Sequence, residues 1–319
     1  MKKSLKNIPI LLVFLAGLAL LFYPLVANQW NSYRQEKLTA NYADSVAQLA
    51  EEGKIDYKKE WDIALTYNEN LIPSILPDSF SVAEKRIEAD EAYSEALNLA
   101  GDGMMGLIEI PKIGVRLPIY HTTEPDVLDK AVGHLEGSSL PCGGENTHCV
   151  LSAHRGLPSA TLFTDLDKME LGDHFLLQIL DDTLCYEVDQ ILTVEPEDTD
   201  ALTVEKGSDL VTLLTCTPYG INSHRLLVRG HRVPYVPEVI KESEKTVVHS
   251  IHTNYVFWVV IGLVVTIIAI IIMIIVSRRM PKRQSKNTAE KDQPVLGDEQ
   301  SMQTSGDAQD SGGVSKDRV

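Results

Sequence analysis

Two long uncharged runs near opposite ends of this 319-residue chain limit what it can fold into more than any other feature. Residues 1–7 carry Lys2, Lys3 and Lys6, and residues 8–27 follow without a charge. About 20 apolar residues in a helix, at ~1.5 Å rise each, match the roughly 30 Å hydrocarbon core of a bilayer. A cleaved signal peptide also begins with a basic start, but its apolar part is shorter and ends at a small-residue cleavage site. This run has no clear site of that kind, so an uncleaved anchor is expected. The second run, residues 255–276, is rich in Val and Ile and is followed at once by Arg278, Arg279, Lys282 and Arg283. Basic flanks stay in the cytoplasm, so both termini are expected inside and residues 28–254 outside. The tail at 284–319, full of Ser, Gln, Asp and Gly, has almost nothing to bury and is expected to be disordered.

The outer segment has room for one sizeable domain with appendages. The whole chain sets 29 basic side chains against 45 acidic ones, a formal charge of −16. That balance argues against nucleic acid as a partner. Four cysteines with no CxxC pair make neither a disulfide scaffold nor a redox motif.

The first part of the outer segment reads as helical. Trp30, Tyr33, Leu38, Tyr42, Val46 and Leu49 recur at spacings of three to five, an amphipathic pattern that Gly53 ends. A second helix is expected over 57–70. Ser81 with Glu84 reads as a capping box for a third, running to about Leu99. From Met105 the pattern turns to β, with short runs at 106–110, 116–120, 148–152, 174–179, 184–194, 210–215 and 225–230. Many short strands separated by turn residues suggest a closed or nearly closed all-β barrel rather than βαβ units. A short helix is expected over 125–132, with Val127, Leu128 and Val132 facing inward.

Three of the strand runs carry chemistry. Val211 to Leu214 is apolar and β-prone, closed by Thr215 and Cys216 and then broken by Pro218 and Gly220. An isolated cysteine is ordinarily a small core residue, yet one at a strand end is rigidly held and can face a cleft. Val150, Leu151 and Ser152 lead through Ala153 to His154 just before a Gly156 turn, and Arg225 opens the apolar run to Val228. A thiol nucleophile needs a group to manage its proton and a cation or donor for the oxyanion of the attacked carbonyl. His154 and Arg225 supply that set.

The segments Thr212-Leu213-Leu214-Thr215-Cys216, Ser152-Ala153-His154-Arg155-Gly156 and His224-Arg225-Leu226-Leu227-Val228-Arg229-Gly230 resemble the sortases, membrane-bound cysteine transpeptidases of Gram-positive bacteria. The resemblance runs from about Gly106 to Arg232. It includes Ile108-Glu109-Ile110-Pro111-Lys112 and the stretch from Gly133-His134-Leu135-Glu136-Gly137 to Pro141, and is greatest to the pilin-polymerising class C. It implies Cys216 as nucleophile, His154 as acid/base and Arg225 as the carbonyl-binding residue. It also implies cleavage of an LPXTG-like signal between Thr and Gly, transfer of the acyl group to a pilin lysine amine, and no cofactor or metal. The loop at 73–80, Pro73-Ser74-Ile75-Leu76-Pro77-Asp78-Ser79-Phe80, falls where class C sortases carry an inhibitory lid with an Asp-Pro-aromatic motif. By resemblance Asp78 would pair with the catalytic arginine and Phe80 would cover the cleft. Ser79 stands where the motif has proline, which loosens the match.

The expected architecture is therefore a mainly β, sortase-like closed β-barrel with short helices, preceded by a helical region and flanked by two transmembrane helices. Its parts are a cytoplasmic start and anchor at 1–27, an extracellular helical region at 28–104, the barrel at 105–237, a linker at 238–254, a second span at 255–276, and a basic flank and tail at 277–319. The expected partners are LPXTG-like pilin or surface-protein substrates, an amine nucleophile (a pilin lysine or a cell-wall precursor) and the membrane. The alternatives are a housekeeping sortase that anchors proteins to the wall, and a tethered peptide-binding module in which Cys216 is structural.

Other residues compete for roles. Cys142 and Cys149 bracket a Gly143-Gly144 turn and are open to a local disulfide or to free thiols, whereas His148 beside Cys149 fits no structural zinc spacing. Cys185 reads as core and His134 as a turn or support residue. Arg229 is the alternative to Arg225, since alternation can put both on one face.

Overall fold

Eight strands form, seven of them over the expected runs: β1 (Met104–Ile110), β2 (Val115–Tyr120), β3 (Val132–His134), β4 (Thr147–Ser152), β5 (His174–Ile179), β6 (Asp182–Val194), β7 (Asp209–Thr217) and β8 (His224–Val233). This computed structural model describes residues 8–53, 55–71, 80, 91–238, 240 and 255–279. The strands close into a barrel in the order β1-β2-β3-β4-β7-β8-β6-β5, with β5 pairing back onto β1. Closure removes the unpaired strand edges that would otherwise invite aggregation. Neighbours are antiparallel except for β2 with β3 and β4 with β7.

The continuous apolar run of β7 follows from its place between β4 and β8, where residues Leu210 to Cys216 are all buried. Its two inner hydroxyls are satisfied. Thr212 Oγ1 lies 2.7 Å from His148 Nε2, and Thr215 Oγ1 donates to the Ala153 carbonyl at 2.7 Å. Such bonds let polar atoms sit in the core at little cost. Across β5 and β6, Phe175 and Tyr186 stack with centroids 5.6 Å apart. Gly230 on β8 is what admits them, because a Cβ there would lie 2.7 Å from the Phe175 ring.

The expected helix over 125–132 is corrected by the structure. Helix α4 is only Pro125–Leu128, and Val132 belongs to β3, a strand absent from the sequence reading. Its three residues carry too little periodicity to register. Pairing to Ile119 and Tyr120 on β2 and to Leu151 and Ser152 on β4 is what makes it a strand.

The helical region begins with α1 (Ile8–Glu51), a single 44-residue helix that contains Pro24. The apolar run and the amphipathic stretch after it are thus continuous, where two separate parts had been expected. The expected apolar face is also revised. Trp30 and Tyr33 are exposed, while Thr39, Tyr42 and Val46 are buried. Nearer the apolar run, polar side chains do the docking: Asn31 Nδ2 donates to Ser159 O at 2.6 Å, Thr161 Oγ1 to Asn28 Oδ1 at 3.1 Å, and Gln35 Nε2 to Lys130 O at 3.1 Å.

Helix α2 (Tyr57–Asn70) has the expected bounds and is capped by Asp56, whose side chain accepts from Lys59 N. It is fixed to the barrel by Trp61 Nε1 donating to Asp181 at 2.9 Å and by Asn68, which accepts from Leu140 N at 2.7 Å. The described part of the third expected helix is α3 (Glu91–Glu95), with Tyr93 fully buried. The Ser81–Glu84 capping box, the linker at 241–254 and the tail from 280 lie outside the described residues.

Helix α5 (Tyr255–Arg279) forms over the second apolar run. The chain divides into two units at Thr266/Ile267, the second holding the C-terminal part of this helix. Among the described residues one stretch, Leu12–Ala40, is long and apolar enough to cross a membrane. The described apolar stretch of α5, Val259–Ile272, is shorter.

Candidate active site

Strand pairing alone brings the three candidate residues together. Strands β4 and β7 run parallel, with Ser152 opposite Leu214. Beyond the ladder, Ala153 N still donates to Leu214 O at 3.2 Å. The next residue on each chain is then His154 on one side and Cys216, one past Thr215, on the other. Strands β7 and β8 are antiparallel, with Cys216 directly opposite Arg225. Directly opposite residues hold their Cβ atoms about 4.5–5.5 Å apart. Cys216 and Arg225 are 7 % and 8 % exposed, and the His154 side chain is 30 % exposed, so the histidine forms the open side of the site.

Each group is oriented by its surroundings. The Arg225 guanidinium donates to Asn222 O at 3.2 Å and His224 O at 3.1 Å, both in or beside the β7–β8 loop. Burial lowers the His154 pKa, and Asp129, whose Oδ1 lies 4.0 Å from Nε2, works in the opposite direction. The ring is therefore neutral at neutral pH and ready to accept a proton. Phe163 N donates to His154 O at 3.1 Å, which closes the loop after the histidine into a compact excursion.

Phe80 lies across the site. Its ring centroid is 5.2 Å from that of His154, and Arg225 Cζ is 5.4 Å from the same ring. Beneath it is an apolar floor of Leu135, Val150, Leu202, Leu214 and Leu227. Asp78, the other lid candidate, lies outside the described residues.

Arg229, the competing arginine, is engaged elsewhere. It makes a bidentate pair with Asp189, both bonds at 3.0 Å, and a 2.6 Å bond to Glu205. Cys142 and Cys149 are buried free thiols, not a disulfide, and Asn68 Nδ2 lies 3.0 Å from Cys142 Sγ. Burial pushes the Cys142 thiol up to about 12, and Cys149 rises for the same reason, so burial disfavours the thiolate at both. Cys185 is a buried thiol against Leu176 and Ile240. His148 is held by Thr203 O at 2.8 Å and by Thr212. Among the described residues no three His, Cys, Asp or Glu side chains are grouped to hold a metal.

Two further residues support the site: Arg155, which the sequence reading did not single out, and His134, which it expected in a turn or support role. Arg155 follows His154, and its side chain bonds Asp167 at 2.7 Å and Thr217 Oγ1, the residue after Cys216, at 3.3 Å. Its guanidinium also sits 5.9 Å from the centroid of the Tyr219 ring. The signal was there, an arginine between the histidine and a turn glycine, but no pattern says which way it points. The second is His134. Ser139 O can only accept, so His134 carries its proton on Nε2 at 2.8 Å, and Nδ1 accepts from Tyr93 Oη at 3.0 Å. Tyr93 Oη in turn accepts from Thr122 N at 3.0 Å. This ties α3 to β3 and to the loop that leads to Asp129.

A strand-end thiol, an imidazole level with it on the next strand and a guanidinium opposite are the groups that a cysteine acyl-transfer site needs, gathered at one end of a closed barrel. A sortase-domain family model matches residues 108–233. Sortase D of Bacillus subtilis (strain 168) is 35% identical over 131 residues, which is 40% of this chain and 63% of that protein. Among solved structures, Sortase C of Streptococcus pneumoniae is 45% identical, with 62% of this chain and 97% of that one covered and a TM-score of 0.55. Sortase C1 from Streptococcus agalactiae is 48% identical, covering 63% and 100%, with a TM-score of 0.57. The chain belongs to the sortase family of transpeptidases. Its solved neighbours place it within class C.

Proposed function

We propose that this chain is a membrane-anchored pilin-polymerising transpeptidase. In this reading it cleaves an LPXTG-like sorting signal between Thr and Gly and joins the threonine carbonyl to a pilin lysine amine. The observation that carries the chemistry is the register that sets Cys216 opposite Arg225 and brings His154 level with both. The pilin assignment draws on the S. pneumoniae Sortase C, described for its pilin substrate specificity.

The steps follow from the geometry. Cys216 Sγ attacks the threonine carbonyl while its proton passes to neutral His154. The carbonyl oxygen becomes an oxyanion, and the Arg225 guanidinium stabilises it. Collapse breaks the C–N bond as His154 returns the proton to the glycine amine, leaving a thioester on Cys216. A neutral lysine amine then attacks the thioester, His154 takes a proton from it, and the thiol is regenerated as the isopeptide bond forms.

In the resting enzyme Phe80 acts as a plug and Asp78 as the partner of Arg225, so substrate must displace the loop at 73–80. Both apolar helices cross the membrane, with the termini inside and the barrel outside. Packing between them supports this topology. A Cβ at Gly262 would lie 2.9 Å from Leu21 Cδ1, so the two helices approach closely there. Leu21 lies six residues inside Ala27 and Gly262 seven inside Tyr255, so two antiparallel spans place them at matching depth.

The test is acyl-enzyme capture. Wild-type protein with an LPXTG-like peptide should give a thioester by mass spectrometry, and adding a pilin lysine peptide should convert it to a ligated product. Cys216→Ala should fold and give neither. Cleavage by that variant at the normal rate would overturn the mechanism. Resolution by a cell-wall precursor amine and not by the lysine peptide would instead make this a wall-anchoring sortase.

A further inference from the structure

The first contacts that α1 makes after its apolar run are to the loop that His154 opens. Asn28, Asn31 and Gln35 lie one and two turns apart on one face of the helix. They bond Thr161, Ser159 and Lys130 in that order. Thr161 and Ser159 belong to the excursion that Phe163 closes back onto His154, and Lys130 adjoins Asp129, which lies beside His154 Nε2. At ~1.5 Å per residue, Asn28 to Gln35 occupy roughly the first 12 Å of helix beyond Ala27. The far part of the same helix docks elsewhere, with Tyr42 bonded to Met105 O and Val46 against Met104 and Leu107. Trp30 and Tyr33 interleave with the bonded stripe but point away from the barrel and are 62% and 56% exposed. Their rings are 6.3 Å apart. Exposed aromatics one turn beyond an apolar span are the side chains that settle in the headgroup layer.

We propose that the loop at 157–161, and with it the His154 side of the catalytic cleft, rests at the headgroup layer of the bilayer, held there by the Asn28–Asn31–Gln35 face of α1. The partner of the 157–161 loop is the lipid surface. This rests on the reading of α1 as a membrane anchor and adds the orientation of the barrel above it. A continuous helix transmits that orientation directly, because no linker separates the apolar run from the docking face. In this pose Cys216 works close to the plane from which a membrane-tethered peptide emerges, so the scissile bond it reaches lies within a few residues of that peptide's own apolar segment.

The experiment uses full-length Cys216→Ala protein reconstituted into phosphatidylcholine–phosphatidylglycerol vesicles. The three remaining cysteines are buried. A single added cysteine, Ser159→Cys or Lys58→Cys, carries an environment-sensitive fluorophore, and a headgroup-attached nitroxide lipid is the quencher. Lys58 lies just past the far end of α1. Quenching severalfold stronger at position 159 than at 58 is expected. Equal quenching, or stronger quenching at 58, in protein that floats with the vesicles overturns the orientation alone. Protein that fails to float with the vesicles overturns the anchor reading and the orientation with it.

Discussion

Arg155 joins the two strand ends that carry the proposed reacting pair, and its value lies in position. It contacts Asp167, Thr217 and the Tyr219 ring, so the turn after His154 and the residue after Cys216 share one buried guanidinium. Lysine can keep a charge toward Asp167 but cannot make a planar fork to two partners. Arg155→Ala should therefore lower kcat for thioester formation by about 10- to 100-fold, the scale of a misplacement near 1 Å, while the peptide KM changes little. Arg155→Lys should recover part of the loss. Equal losses in the two variants, or a change in KM alone, would mean that Arg155 only stabilises the fold. The same residue-scale logic separates the β8 arginines. Alternation places Arg225 and Arg229 on one face of the strand, and in the sequence only the family resemblance chooses Arg225. What decides is partners far apart in the chain, since Asp189 and Glu205 occupy Arg229 while Arg225 faces Cys216.

At the scale of elements, Phe80 and α3 show two ways in which the helical region grips the barrel. Phe80 lies over His154 and Arg225 with an apolar floor beneath it. Burying part of a phenyl ring stabilises by ~1.5 kcal/mol, and the guanidinium above it adds ~0.5–1 kcal/mol. If Phe80 is a plug, contacts of that strength would slow access roughly tenfold to a hundredfold without blocking it. Asp78→Ala with Phe80→Ala should therefore speed labelling of Cys216 by a thiol reagent, and peptide cleavage with it. Unchanged rates would reduce the loop to a connector. The other grip is Tyr93 on His134. Burial lowers the His134 pKa to about 4, with the Ser139 carbonyl opposing that shift. The unfolded chain takes up this proton first, near pH ~6.5. Stability from this group is thus full above that value and is lost as pH falls toward 4, by up to about 3 kcal/mol. His134→Gln keeps a donor for Ser139 and cannot titrate. Its urea-unfolding free energy should fall less than the parent's between pH 7 and 4.5, and parallel losses would sink the assignment. The long elements were readable from periodicity, α2 to the residue. Short β3 was not, because three residues become a strand only through the neighbours on either side.

At the scale of the whole molecule, topology and catalysis constrain each other. The three segments around Cys216, His154 and Arg225 were readable as a set because strand ends, turn glycines and reactive side chains coincide in the sequence. Their convergence needed the parallel β4–β7 pair, which no local pattern announces. The continuity of α1 was likewise hidden, since a change from apolar to amphipathic composition looks like a boundary although the helix crosses it unbroken. If both apolar helices span the bilayer, each basic flank is retained inside by the same charge rule. Protease added to intact protoplasts should then cut within residues 28–254, beginning at the exposed loops of the barrel. An epitope placed after Arg283 should survive until the membrane is permeabilised. The Gly262–Leu21 contact sharpens the expectation, because Gly262→Leu would force the helices apart where a Cβ already meets Leu21. That variant should keep soluble-peptide cleavage, which depends on the barrel, while increasing protease access to the tail. Digestion of the epitope in intact protoplasts of the parent protein would show that the second helix does not cross, and would leave α1 as the sole anchor.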